Sequence, residues 1–335
     1  MVLLKRLFLL LAVSFLACAG LAVWFASRPL PLRSSPLEFE IPPGLSLAAA
    51  SRRMSEAGLG FASWQFSLLG RVLGRAADIK AGSYLVEQGL TPMTLLDKLT
   101  RGDVTQGELM LVEGRNFRQL RASLDANPDL RHETAGLSDK DLAEKLGLQV
   151  NHPEGWLFPD TYLFPKQSSD LDVLNRAHRA MERHLAEEWA GRSEGLPYRN
   201  PYEALTMASI VEKETGKPAD RPQIAAVFIN RLRTGMLLQT DPTVIYGLGE
   251  RFDGNLRKVD LQTDTPWNTY TRSGLPPTPI AMPGIAALRA ALHPPASDKF
   301  YFVARGDGSS EFSRTLDEHN RAVQRYQKRN KGNGQ

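Results

Sequence analysis

Ala208-Ser-Ile-Val-Glu-Lys-Glu-Thr215 is the stretch on which the reading of this chain turns. It runs on through Phe228-Ile-Asn-Arg-Leu232 to Leu238-Gln-Thr-Asp-Pro-Thr-Val-Ile-Tyr-Gly247. From about Glu203 the apolar residues Ala204, Met207, Ala208 and Val211 recur at helical spacing, which predicts a helix with one buried face. That helix ends in two carboxylates, Glu212 and Glu214, which flank the stripe, with Lys213 opposite it. A carboxylate at the margin of an apolar face is partly desolvated, so its pKa rises and it can donate a proton near neutral pH. Gly216-Lys-Pro218 stops the helix. Charge patterning by itself favours a plainer alternative, a solvated Glu-Lys-Glu face.

Working outward, 335 residues allow two or three domains with real cores. A net charge of +4 suits an anionic polymer or a lipid surface and is too weak to indicate nucleic acid, for which no basic stripe or motif is present. The single cysteine, Cys18, excludes an internal disulfide framework. His178 and His184 lack partners at metal-ligand spacing, and neither His-Glu-x-x-His nor Cys-x-x-Cys occurs, so no metal and no cofactor are expected.

Lys5-Arg6 precede an apolar run from Leu7 to Ala26, and Arg28 and Arg33 follow it. Roughly 20 apolar residues suffice for one bilayer span. A cleaved signal peptide would have a shorter apolar core. A lipoprotein signal at Phe15-Leu-Ala-Cys18 would leave an oddly apolar mature start. The expectation is an uncleaved anchor at 7–27 with a cytoplasmic N-terminus at 1–6.

Residues 34–150 read as a membrane-proximal module. Ser34-Ser-Pro36 reads as a linker and Phe39-Glu-Ile41 as a strand. A helix capped by Ser46 runs to Ala57, a second apolar helix covers Trp64–Leu73, and a strand follows at Lys80–Val86. A helix at Thr91–Leu99, a strand at Gln106–Val112 and a helix at Asn116–Asp125 complete it. Strand–helix–helix–strand is the layout of small LysM-like sugar-binding modules, here at 39–100, with Trp64 and Tyr84 as the aromatics to watch. A spacer with no sugar affinity fits the same pattern.

Residues 151–330 read as the catalytic domain, with a disordered tail at 331–335. Asn151-His-Pro-Glu-Gly-Trp-Leu-Phe-Pro-Asp-Thr-Tyr162 is dense in turn formers and aromatics, as in a packed loop or a sugar cleft. One long helix follows at Leu171–Ala190. A second helix opens at Arg221-Pro222, with Ile224, Val227, Phe228 and Leu232 inward and Asn230 and Arg231 off that face. Asp241 reads as the N-cap of a short helix through Tyr246. Gly274–Gly284, with four prolines, reads as an ordered loop or extended arm. A hairpin around Gly306-Asp-Gly308 and a helix at Leu316–Lys328 close the chain. The fold class is α+β: one transmembrane helix, a small LysM-like module and a C-terminal α+β catalytic domain.

The blocks Ala208–Thr215, Val227–Leu232, Leu238–Gly249, Asn268-Thr-Tyr270, Gly274-Leu-Pro-Pro277 and His319-Asn320 resemble the YceG-like family. These are membrane-anchored endolytic murein transglycosylases of bacteria. Glu154–Tyr162 matches a further block, and the resemblance runs from about Phe39 onward. It implies cleavage of peptidoglycan strands at internal bonds, with the catalytic domain on the periplasmic side of the inner membrane. The implied partners are glycan strands, the membrane and peptidoglycan synthases. Lytic transglycosylases and goose-type lysozymes end their catalytic helix with Glu followed by Ser or Thr. Only Glu214-Thr215 fits, which implies Glu214 as the acid and Glu212 as a like-charged neighbour. The resemblance places Gln239, Thr240, Asp241, Tyr246, Asn268 and Tyr270 along the substrate groove. Glu212 and Glu214 point apart at i and i+2, so they do not make a two-carboxylate hydrolase site. A single-acid mechanism fits better, with a hydrolytic muramidase using Asp241 or a non-enzymatic wall-binding scaffold as rivals. A cytoplasmic pyridoxal-phosphate lyase is set aside: the anchor contradicts it.

Overall fold

The computed structural model describes residues 2–328, so the tail read at 331–335 lies outside the described residues. Two compact units form. The first comprises the chain up to Glu108 together with Asp129–Arg131 and Leu163–Ser168, and the second holds the remainder.

The first unit begins with α1 (Val2–Ser27), the one helix among the described residues that is long and apolar enough to cross a membrane. At about 1.5 Å per residue it reaches roughly 39 Å. Its apolar side chains are exposed over most of its length, but Phe25 and, just beyond, Leu30 are buried. β1 (Leu37–Ile41), α2 (Leu47–Ala57), α3 (Ser63–Val72), β2 (Gly82–Val86) and α4 (Pro92–Arg101) follow. Strands β1 and β2 pair antiparallel in the register Leu37↔Val86, Phe39↔Tyr84, Ile41↔Gly82. The alternation of β1 sends Leu37, Phe39 and Ile41 into a core with Phe25, Leu30, Met54, Phe66, Leu95 and Leu99. Ser46 caps α2, and Gly58 ends it in the left-handed conformation at φ 112°.

Two expectations change here. Ser34-Ser-Pro36 is no free linker, because the segment leading into it is stitched to the unit. Leu30 N–H donates to Leu90 O, Gly60 N–H to Pro31 O and Arg33 N–H to Gly58 O, and Ser35 Oγ accepts from Gln88 N–H. Tyr84 is fully buried, stacked on Phe39, with its hydroxyl donating to Lys80 O at 2.7 Å. It is a core residue and offers no face to a ligand. Trp64 is exposed.

Beyond α4, strand β3 (Gln106–Met110) leads to α5 (Phe117–Asp125), β4 (Leu130–Arg131), α6 (Asp139–Lys145), β5 (Thr161–Pro165) and β6 (Ser168–Ser169). β3 pairs with β5 and β4 with β6. Then come α7 (Asp170–Ala190), α8 (Pro201–Glu214), α9 (Arg221–Arg233), α10 (Asp241–Leu248), α11 (Lys258–Gln262), α12 (Ile285–Leu292), the hairpin β7 (Tyr301–Ala304)–β8 (Ser310–Ser313) and α13 (Leu316–Val323).

Helix α8 is the axis of the second unit. Every residue from Ala204 to Glu212 is buried, so the expected single apolar face is in fact a helix surrounded on all sides. Met181 and Leu185 of α7, Ile224 and Phe228 of α9, and Ala287, Leu288 and Ala291 of α12 close around it. The small side chains of α12 allow its backbone to approach α8 closely. The second half of the proline arm, residues 279–284, is buried: Ile280 N–H donates to Ser209 Oγ, Gly284 N–H to Glu212 Oε2, and Met282 exchanges backbone bonds with Gly114 and Arg115.

Candidate active site

Two carboxylates end α8, and their surroundings separate them. Glu212 is 8 % exposed; it pairs with Arg221 Nη2 at 2.8 Å and accepts Gly284 N–H at 3.0 Å. Burial raises its pKa, while Gly284 N–H and Arg221 act in the opposite direction. All its strong partners are structural, and it ties α8 to α9 and the proline arm. Glu214 is the last helical residue. Thr215 turns to extended backbone (φ −144°, ψ 135°), which sends the Glu214 side chain off the helix end into a cavity of about 610 Å³.

Glu214 is half-buried and has one direct hydrogen-bond donor, Thr240 Oγ1, at 2.7 Å. Burial pushes its carboxyl above the ordinary value, the Thr240 hydroxyl pulls it down, and Asp241 raises it again. The like charge that adds to the effect of burial on Glu214 is therefore Asp241, and not the neighbouring Glu212 that the sequence suggested. Arg231 opposes it and favours the carboxylate once the proton has left.

Thr240 is the N-cap of α10, yet its side chain makes no cap bond and its hydroxyl donates to Glu214 instead. Asp241, expected as the cap, is instead the first helical residue, and its Oδ1 accepts Tyr270 O–H at 2.6 Å. Gln239 stands at φ 50°, a conformation rare for a residue with a Cβ. It is held there because Gln239 N–H donates to Thr269 O and Thr240 N–H to Thr269 Oγ1, both at 3.1 Å. Strain held by surrounding bonds at a cavity wall is a mark of functional sites.

Of the residues expected along a groove, Gln239, Asp241 and Tyr270 line the Glu214 cavity, and Thr240 lies directly behind it. Asn268 does not reach the cavity. It is fully buried, its Nδ2 donates to the carbonyls of Asp260, Leu261 and Thr263, and its Oδ1 accepts Tyr270 N–H, so it holds the loop that presents Tyr270. Tyr246 faces a different cavity, of about 720 Å³, where its hydroxyl donates to Glu154 Oε2 at 3.0 Å.

Arg231, which helical periodicity placed elsewhere, also lines the Glu214 cavity. Arg231 is 7 % exposed, with Nε donating to Phe300 O and Nη1 to Leu238 O, both at 2.7 Å, and its guanidinium lies 5.3 Å from the Tyr301 ring centroid. Asn230 beside it donates to the carbonyls of Ser297 and Lys299. Both turn towards the β7–β8 side of the unit because these carbonyls need donors. His319 stacks on Tyr301 at 5.3 Å and lines the same cavity, and burial followed by Arg231 lowers its pKa. Only the resemblance of His319-Asn320 had marked it.

Comparison with known proteins agrees with this architecture. The YceG-like family matches residues 39–325. An endolytic murein transglycosylase of Bacillus subtilis strain 168 is 32 % identical over 307 residues, 87 % of this chain and 84 % of that protein. One from Streptococcus pneumoniae strain D39 is 27 % identical over 318 residues, and there the chain spans 57 % of the relative's length. The crystal structure of a YceG-like protein from Listeria monocytogenes superposes with a TM-score of 0.54 at 30 % identity, covering 86 % of this chain and 99 % of that one. With a family match over most of its length and a relative at this identity, the chain belongs to the YceG-like family.

Proposed function

We propose that this protein is a membrane-anchored lytic transglycosylase that cuts peptidoglycan strands at internal bonds, with Glu214 as its acid and base. The observation that carries the reading is the placement of Glu214: a carboxyl with a raised pKa, one hydroxyl partner, and a cavity of about 610 Å³ in front of it. The names of the relatives point to the same chemistry.

The protonated Glu214 gives its proton to the glycosidic oxygen between N-acetylmuramic acid and N-acetylglucosamine. The bond from that oxygen to muramyl C1 breaks, and the substrate's own acetamido group shelters the cationic centre. Glu214 carboxylate then takes the proton from the muramyl C6 hydroxyl as O6 bonds to C1, closing a 1,6-anhydro ring. No water is consumed, and one residue acts twice. Asp241 supports the first half by keeping the proton on Glu214, and Arg231 supports the second by favouring its release. Gln239 and Tyr270 are assigned to substrate binding, with Thr240 orienting the carboxyl. Asp241 is engaged by Tyr270, which argues against its acting as the base of a hydrolase.

The further layout follows the same reading. Residues 7–27 anchor the chain in the inner membrane, the first unit is the membrane-proximal module, and the periplasmic catalytic domain is the second unit, which takes in residues 109–128 and 132–150 that the sequence had grouped with the module. The β1–α2–α3–β2 order is that of a LysM-like module. A cleaver tied to the membrane meets strands as synthases extrude them and so ends their elongation.

Mass spectrometry of purified strands digested by the full-length protein, wild type beside Glu214→Gln, tests the chemistry. Anhydro-muramyl ends that vanish in the variant support it. Free reducing ends would turn the case to a hydrolase with Asp241, and binding without cleavage by either protein would leave the scaffold reading.

A further inference from the structure

Helix α3 carries an apolar stripe that nothing in its own unit covers. Trp64, Leu68 and Val72, at i, i+4 and i+8, are 64 %, 53 % and 75 % exposed. The opposite face is core: Phe66 is fully buried and stacked on Phe61, and a Cβ at Gly70 would meet Leu47 at 2.6 Å. Three large apolar side chains aligned on one helix face are unusual on a soluble surface and mark an interaction site.

Two observations say what covers the stripe. The exit of α1 is fastened to the loop that starts α3, with Phe25 and Leu30 buried in the same core and Gly60 N–H donating to Pro31 O at 2.7 Å. Pro31 follows Ser27 by four positions and Ser63 follows Gly60 by three, so the start of α3 lies at most about 30 Å from the end of the apolar helix. The charge also fits: α3 has no acidic residue, and the exposed Arg71 lies beside the stripe on the same face. A tryptophan and aliphatic residues flanked by arginine are the composition of a helix lying at the headgroup boundary of an anionic membrane.

We propose that α3 docks its Trp64–Leu68–Val72 face on the surface of the bilayer that α1 crosses, with Arg71 among the anionic headgroups. This rests on α1 being a membrane span. Docking gives the first unit a second membrane contact, which fixes its tilt instead of leaving it to swing about α1.

The test uses the full chain with Cys18→Ser and one new cysteine at a time: Leu11→Cys, Leu68→Cys or Arg101→Cys. Each is labelled with nitrobenzoxadiazole and reconstituted in phosphatidylcholine–phosphatidylglycerol vesicles at less than one chain per vesicle. Lipids brominated near the headgroup should quench the label at position 68 at least about threefold more than that at 101. Adding Trp64→Ser and Val72→Ser should remove most of that difference, and vesicles without phosphatidylglycerol should weaken it. Quenching at position 11 with none above the 101 level at position 68 would overturn the docking alone. No quenching at position 11 would overturn the anchor on which the docking rests. A blue-shifted label at position 68 that bromolipids do not quench would place a second copy on this face and also overturn the proposal.

Discussion

Glu154 and Glu214 are two carboxyls of one unit, both raised by burial, and they differ in what occupies their oxygens. Glu154 is 2 % exposed; both oxygens accept Phe117 N–H at 3.0 Å, and Tyr246 adds a hydroxyl. Burial outweighs these bonds, and its pKa is pushed up to about 7. Its bonds join the loop before Gly155, the start of α5 and the body of α10. Glu214 has one donor and open space in front of it. A raised pKa therefore does not by itself mark the reactive group. Nor does a neighbouring cavity, since Glu154 lines one of about 720 Å³; reactivity needs a lone pair left over for the substrate.

The largest expected effect tests that contrast directly. Glu214→Gln should lower turnover by about 10²–10⁴-fold, the usual contribution of a general acid–base residue, with the thermal melt little changed. In the wild type, activity should fall as pH rises through the raised pKa of Glu214, because the first step needs its proton. Glu212→Ala should do the reverse: it leaves Gly284 N–H unpaired and Arg221 with only Glu113 at 4.0 Å, and should destabilise the unit by about 3 kcal/mol in urea unfolding. Any loss of activity there should follow loss of fold.

Glu154 gives a pH-dependent effect whose sign can be worked out. Between the ordinary carboxylate value of 4.5 and about 7, the folded chain keeps a proton that the unfolded chain releases. Stability therefore falls as pH rises across that window, by up to roughly 3 kcal/mol. Glu154→Gln should remove most of that slope in melts taken from pH 5 to 8, leaving the variant the more stable protein at pH 8. A flat wild-type profile would show that Glu154 is ionised throughout and that the two carboxyls differ more than proposed. The smallest effect is expected from Thr240→Val. Loss of the hydroxyl should slow turnover by less than about tenfold and move the alkaline limb of the rate profile to higher pH, since that hydroxyl favours the ionised form.

Much of the local structure was legible without coordinates. Helix starts at Ser46, Thr91 and Asn116 and stops at Gly58 and Gly102 follow from side-chain caps and left-handed glycines, which are properties of a few neighbouring residues. The hairpin around Gly306-Asp-Gly308 and the end of α8 at Thr215 were legible for the same reason. Helix periodicity marked Glu212 and Glu214 alike, and only the resemblance to lytic transglycosylases, through the Thr that follows, singled out Glu214. Helix α12 was missed: Ile285–Leu292 is short and nearly all apolar, so it shows no periodicity, although it packs against α8 at the centre of the unit.

What the tertiary structure alone decided was the company each polar group keeps. Periodicity put Arg231 outside, but the backbone carbonyls of Phe300 and Leu238 drew it in. Asp241 looked like a cap, but Tyr270 claimed its carboxylate, and the hydroxyl of Thr240 went to Glu214. Asn268 and Tyr246 stood among the groove candidates, and packing committed one to three carbonyls of its own loop and the other to Glu154. Caps, turns and apolar runs are settled within a few residues and so can be read from the chain. Partners for a buried donor or acceptor come from anywhere the fold brings close, and burial then raises the cost of leaving any of them unpaired.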